Sequence, residues 1–159
     1  MDTNKKLIVK TLNVKVDKIE FNLVFHTRLT LIQGDSGTGK TYLYTNIFQK
    51  ALMENSSNIV FINYETYLNG MIKTTLNTLK NKLVIIDNAD SILDESDKWQ
   101  ITCDFNNQYV LFLRNFGCLK PVSSSFAELC IDNNKGYLYY PFIENEKKLE
   151  HWKKELRKI

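Results

Sequence analysis

Between residues 29 and 44 the chain reads LTLIQGDSGTGKTYLY. Three of its six glycines, Gly34, Gly37 and Gly39, fall in this stretch and stand directly before Lys40 and Thr41. An apolar run ends at Gly34, and a helical period begins at Thr41. The cluster is therefore a turn from a strand into a helix. Glycine reaches backbone dihedrals closed to other residues and lets the main chain approach a ligand closely. Successive N–H groups turned inward make a nest for an anion. The start of the following helix adds unpaired amides and the positive end of its dipole.

The remainder of the chain alternates strands and helices. Leu12, Val14 and Val16 share one face and Ile19, Phe21, Leu23 and Phe25 another, with Asp17-Lys18 between them. Period two with a short polar break predicts a β-hairpin, placed within residues 1–28. After Lys40, the rows Leu43, Ile47, Ala51 and Tyr44, Phe48, Leu52 predict a helix buried over much of its surface. NIVFINYE (58–65), KLVIIDNAD (82–90) and YVLFLRN (109–115) read as further strands, their continuous apolar runs suited to parallel pairing. Leu68, Ile72, Leu76 and Leu79 predict a helix weakened by Gly70. Residues 96–107 alternate like a strand, but a parallel crossover requires a helix there. Ser125 to Glu128 has capping-box spacing and predicts a short helix. YLYYPF is taken as the fifth strand, and Leu149, Trp152, Leu156 and Ile159 predict an amphipathic helix over 144–159. The expectation is one α/β domain over 1–159, three-layered, with a mainly parallel five-stranded sheet and an N-terminal hairpin.

Gly34-Asp35-Ser36-Gly37-Thr38-Gly39-Lys40-Thr41 fits G-x-x-x-x-G-K-[ST]. A chance match in a chain of this length is on the order of one in a few hundred, and the strand–turn–helix context is the one the motif requires. The sequence resembles the P-loop NTPase superfamily, in particular its AAA+ and RecA-like ATPases. The resemblance is specific over about residues 29–90. It implies that the backbone of residues 34–39 cradles the phosphates of ATP, that Lys40 reaches the β- and γ-phosphates, and that the Thr41 hydroxyl is a Mg²⁺ ligand. Asp87, ending LVIID, looks like a Walker B aspartate and is the second expected metal ligand.

Where many ATPases of this superfamily carry a catalytic glutamate after that aspartate, this chain has Asn88. An amide orients water but takes no proton at pH 7. Glu65, ending NIVFINYE, is similar to a water-polarising glutamate of RecA-like ATPases and is the first choice for that role. Asp90 is a second carboxylate, better suited to capping the next helix. Asn115, with Arg114, stands at the strand end where related ATPases sense the γ-phosphate.

The N-K-x-D signature of guanine-specific relatives is absent: NKLV and NKGY both lack the aspartate, so ATP is the expected nucleotide. A small nucleotide kinase needs several planar bidentate donors for two phosphorylated substrates, and the chain has three arginines. An ABC-type cassette is disfavoured because no LSGGQ-like stretch follows. Two classes lead, a slow or partner-stimulated ATPase and a nucleotide-gated interaction module without significant hydrolysis, with a small nucleotide kinase as the poorer alternative. Either of the leading classes implies a protein partner or self-assembly. A net charge of +3 gives no support for a nucleic-acid partner. No stretch approaches the ~18 apolar residues of a membrane span. No signal peptide is evident, and Cys103, Cys118 and Cys130 lack metal-ligand spacing. The expectation is a cytoplasmic protein with reduced thiols.

Overall fold

The computed structural model describes residues 7–34, 39–114 and 125–143. The expected helix over 144–159 lies outside these residues. The hairpin is present as β1 (Thr11–Val16) and β2 (Ile19–Val24), paired antiparallel from Thr11↔Val24 to Val16↔Ile19. β3 (Leu29–Gln33) leads to the glycine cluster, and α1 (Lys40–Met53) follows it. Next come β4 (Ile59–Ile62), α2 (Tyr64–Leu68), α3 (Ile72–Thr78), β5 (Leu83–Ile86), α4 (Ala89–Ile92) and α5 (Glu95–Cys103). The chain continues through β6 (Gln108–Leu113), β7 (Phe126–Asp132) and β8 (Lys135–Tyr139).

All eight strands join one mixed sheet in the order β1-β2-β8-β7-β3-β6-β5-β4. Five of them, β7-β3-β6-β5-β4, run parallel. Four of the strands expected to run parallel, β3, β4, β5 and β6, do so, and the sheet is mixed and larger than expected. The fifth parallel strand is β7, where a helix was expected from Ser125 to Glu128. YLYYPF instead supplies part of β8, which is antiparallel to β7 and joins the hairpin to the sheet. The S-x-x-E spacing is a local signal. It loses here to main-chain pairing of Leu31–Gln33 with Phe126–Glu128.

The parallel strands alternate between two cores. Ile32, Leu83, Ile85, Val110 and Phe112 face Leu43, Tyr44 and Ile47 of α1 together with the hairpin's Val14 and Phe21. Leu31, Val84, Ile86, Tyr109 and Leu111 face the opposite side, against Ile72, Leu76, Ile92 and Ile101 of α3, α4 and α5. Helices thus lie on both faces of the sheet. The apolar stripe of α1 is narrower than its sequence suggests, since Phe48 and Leu52 are exposed. Gly70, at φ +66, separates α2 from α3. The ambiguous stretch after residue 95 is α5, entered through a reciprocal cap between Asp94 and Asp97. Among the described residues no helix is long and apolar enough to cross a membrane.

A partly buried polar network pins β3 to β6 at the end where both strands begin. Arg28, just before β3, donates to the carbonyls of Ile101 and Thr102 at the end of α5, and its guanidinium lies 4.5 Å from the Phe105 ring centroid. Tyr109 donates its hydroxyl to Asp104 Oδ2 at 2.6 Å, and the Asn107 amide does so at 2.7 Å. Burial raises the proton affinity of Asp104, but the hydrogen bonds of Asn107, Tyr109 and the Asn106 amide outweigh it, and its pKa falls below the ordinary value.

Two outcomes follow from this packing. A carboxylate with a depressed folded-state pKa contributes its stability above the unfolded value and loses it as pH falls through the folded one. The stability gap between the wild type and Asp104→Asn, measured by urea unfolding, is therefore full at neutral pH and closes below about pH 3.9. Gly136 sits where a Cβ would stand 2.1 Å from Cδ1 of the buried Phe21 ring. Gly136→Ala is expected to cost about 1–3 kcal/mol of stability through overpacking, read as a lowered melting temperature.

Candidate functional site

The site candidates gather where β3, β5 and β6 end. Gly34 directly follows β3 and is half-buried, while Asp35, Ser36, Gly37 and Thr38 lie outside the described residues. Gly39 is the N-cap of α1, at φ +89. A left-handed backbone there strains any residue with a Cβ, which explains a glycine directly before the lysine. α1 starts with no side-chain cap and no acidic residue in its first turn. By contrast, α2 and α5 both close their first turns with capping boxes.

Lys40, the first residue of α1, is more than nine-tenths buried. Its ammonium donates to the carbonyl of Leu113 at the end of β6, at 3.2 Å. Asp87 follows β5 and is also more than nine-tenths buried. Its amide donates to Ile62 O, so its backbone is fixed by the end of β4. Thr41 Oγ1 lies 3.4 Å from Asp87 Oδ2. Burial raises the Asp87 pKa above the ordinary value. The Asn88 backbone amide, the Thr41 hydroxyl and the charge of Lys40 each oppose that rise.

The hydroxyl and carboxylate oxygens form a hard donor pair. Adjacent ligands of an octahedral Mg²⁺ at about 2.1 Å stand about 3 Å apart, so the observed spacing fits such an ion with little adjustment. No group of three or more His, Cys, Asp or Glu side chains suited to a metal exists among the described residues.

The other candidates are placed differently from one another. Glu65 does not end a strand: β4 stops at Ile62, and Glu65 is exposed in the first turn of α2. The strand-end position belongs to Asn63, whose side chain caps α2 by accepting from the Thr66 amide. Asp90 lies in the first turn of α4 and accepts the Arg114 amide at 3.2 Å, tying α4 to the end of β6. The Arg114 carbonyl in turn accepts from Gln33 Nε2 at 3.1 Å, linking β6 to the end of β3. Asn115 lies outside the described residues. Asn88 adopts φ +52 and ψ +41 before α4. Asparagine tolerates this left-handed conformation better than most side chains, which is a physical reason for its presence beside Asp87.

Sequence reasoning missed Tyr44 as a polar group. It was counted only in an apolar row, yet its hydroxyl is buried and has no hydrogen-bond partner of normal geometry. Burial and the nearby charge of Asp87 raise its pKa strongly, and neighbouring Asn63 offsets part of the rise. The signal was available: Tyr44 lies four residues after Lys40 and three after Thr41, on the same helical face.

No family model and no curated protein matches this chain. A solved structure of a RuvB point mutant from Thermotoga maritima is similar at 20% identity, with a TM-score of 0.39. The match covers 66% of this chain and 39% of that one, so this chain spans well under half of that protein's length. A likeness of this strength carries no argument about activity.

Tyr44→Phe removes a buried hydroxyl that lacks a hydrogen bond of normal geometry. The substitution is expected to leave the melting temperature unchanged or raise it, by at most about 1 kcal/mol of stability, in protein without ligand. A loss of stability would show that the hydroxyl has a partner.

Proposed function

We propose that this chain is a P-loop protein that binds Mg-ATP at the carboxyl ends of β3, β5 and β6 and hydrolyses it slowly or on stimulation by a partner. One observation carries the reading: Lys40, Thr41 and Asp87, separated by up to 47 positions in the sequence, converge beside an uncapped helix start. The place suits a ligand. Between β6 and β7 the chain crosses to the far side of β3, and open parallel sheets bind ligands outside the strand ends at such a crossing.

In this reading the backbone of residues 34–39 and the α1 amides hold the β- and γ-phosphates. The Lys40 ammonium leaves the Leu113 carbonyl for the phosphate oxygens. Thr41 and Asp87 hold Mg²⁺, which when bound neutralises charge on those oxygens. Water attacks the γ-phosphorus, a new P–O bond forms, and the bond to the β–γ bridging oxygen breaks, releasing ADP. Holding charge in place is the main catalytic task in such a transfer. Among the described residues the Asp90 carboxylate is engaged by the Arg114 amide, whereas no hydrogen bond holds the Glu65 carboxylate. Glu65 is the proposed water-positioning residue, with Asn115 beside the γ-phosphate.

A second reading, binding without significant turnover, is favoured by Asn88. An amide in a left-handed turn stands where a proton acceptor would serve hydrolysis. In that case the bound nucleotide gates contact with a partner.

Calorimetric titration with Mg-ATP, paired with a phosphate-release assay, separates the two readings and tests both. Wild type is expected to bind, Lys40→Ala to lose at least tenfold in affinity, and Asp87→Asn to lose the dependence on Mg²⁺. Glu65→Gln should lower phosphate release while binding is kept. Unchanged binding by Lys40→Ala sinks the phosphate-loop reading. Binding with no phosphate release under any condition selects the gated module.

A further inference from the structure

The two edges of the sheet are built differently. The β1 edge carries Lys10, Lys15 and, at its turn, Asp17 and Lys18. Charges of this kind stop an exposed edge from pairing with another chain. At the other edge, Asn58-Ile-Val-Phe-Ile-Asn63 holds no charge and no proline. Among the described residues β4 is hydrogen-bonded on one side only, to β5.

The pattern of that pairing fixes which groups are free. Leu83 N donates to Asn58 O at 2.8 Å, and Asp87 N donates to Ile62 O at 3.0 Å. Asn58 and Ile62, and by alternation Val60, therefore turn their main-chain groups toward β5. Ile59 and Phe61 turn theirs outward. Their side chains lie partly buried on the α1 face, while Ile62 is buried on the other. Apolar side chains flank the edge at both ends. Leu52 and Met53, at the end of α1 before β4, are 60% and 84% exposed. α2, after β4, buries none of its residues and leaves Tyr64, Tyr67 and Leu68 exposed.

We propose that β4 is a self-association edge, pairing antiparallel with β4 of a second copy about a two-fold axis at Val60. Two features select a second copy as the occupant. A strand without charge meets itself with no like-charge penalty along its ladder, Glu54 and Glu65 standing beyond its two ends. An isologous interface also needs a surface that complements itself when reversed. Reversal here sets Ile59 opposite Phe61 of the second copy, with their outward N–H and C=O groups exchanging hydrogen bonds. It also brings the exposed α2 of each copy alongside Leu52 and Met53 of the other. Val60 faces its own counterpart in the closely spaced, non-hydrogen-bonded position. The sheet then continues through both copies. The proposal is independent of nucleotide binding.

The test is sedimentation of the full chain over a wide concentration range. The expected mass is twice 18.6 kDa, passing to the monomer only on dilution. Ile59→Pro removes only an outward-pointing N–H, so it spares the ladder to β5 and is expected to give a monomer with unchanged circular dichroism. Val60→Lys places a guard like that of the β1 edge and serves the same purpose should the proline variant misfold. Val60→Cys, with the three native cysteines changed to serine, is expected to cross-link two copies on mild oxidation. Ile59→Cys in the same background should not, because its partner is residue 61. A wild type that stays monomeric overturns the proposal and leaves the edge to another protein's strand or to solvent. A dimer indifferent to both Ile59→Pro and Val60→Lys, or one cross-linked equally through position 59, also overturns it.

Discussion

The pairing of Lys40 with the carboxyl ends of the strands governs how this end of the molecule is built. An ammonium and a carboxylate, each more than nine-tenths buried, cannot be left without partners in a low-dielectric setting. The fold supplies them from the main chain. The Leu113 carbonyl takes the ammonium, and the Asn88 amide and Thr41 hydroxyl serve Asp87. Every one of those groups belongs to a strand end or a helix start. Both charges are thus held by groups of the strand ends and of the start of α1.

The sheet is also pinned at its opposite end. Arg28, Asp104 and Tyr109 fix β3 against β6 where both begin, and Gln33, Arg114 and Asp90 fix the same strands where they end. β3 is clamped twice, with an apolar core on each face between the clamps. Beyond β3 the sheet changes character. β7 and β8 turn it antiparallel, and β2 joins β8 through only two paired positions, Glu20↔Lys135 and Phe21↔Gly136. The hairpin is held by β8, where Glu20 N also donates to Asn134 O at 2.9 Å, and by its packing on α1, helped by Tyr42 donating to Asp17 at 2.9 Å.

The hairpin, β3, α1, β5 and β6 could be read from the sequence because each carries a strong period and a sharp boundary. The turn residues Asp17 and Gly39 marked two of those boundaries. β7 was hidden because FAELCID mixes two patterns, and its state is decided by pairing with β3, which no local window contains. Glu65 was assigned to a strand end because the apolar run continues to its neighbours. Asn63 and Thr66 form a reciprocal cap that ends the strand earlier, and a run of hydrophobicity does not reveal such a cap. At the candidate site, the meeting of Thr41 with Asp87 and of Lys40 with the end of β6 could be anticipated because each stands at a strand or helix boundary that its period marks. The role of Tyr44 could not, since a tyrosine on an apolar face reads as packing until the surroundings of its hydroxyl are seen.

The backbone at Asn88 also restricts which residues this position can carry. Its left-handed turn sets the direction in which α4 leaves the sheet and so places Asp90 against the Arg114 amide. A glutamate at that position would have to bear a conformation that costs an ordinary side chain about 1–2 kcal/mol, or else rotate the turn and release α4 from β6. Installing a proton acceptor beside Asp87 is thus a rearrangement of a loop and a helix. The main chain constrains this position as much as the chemistry of its side chain does.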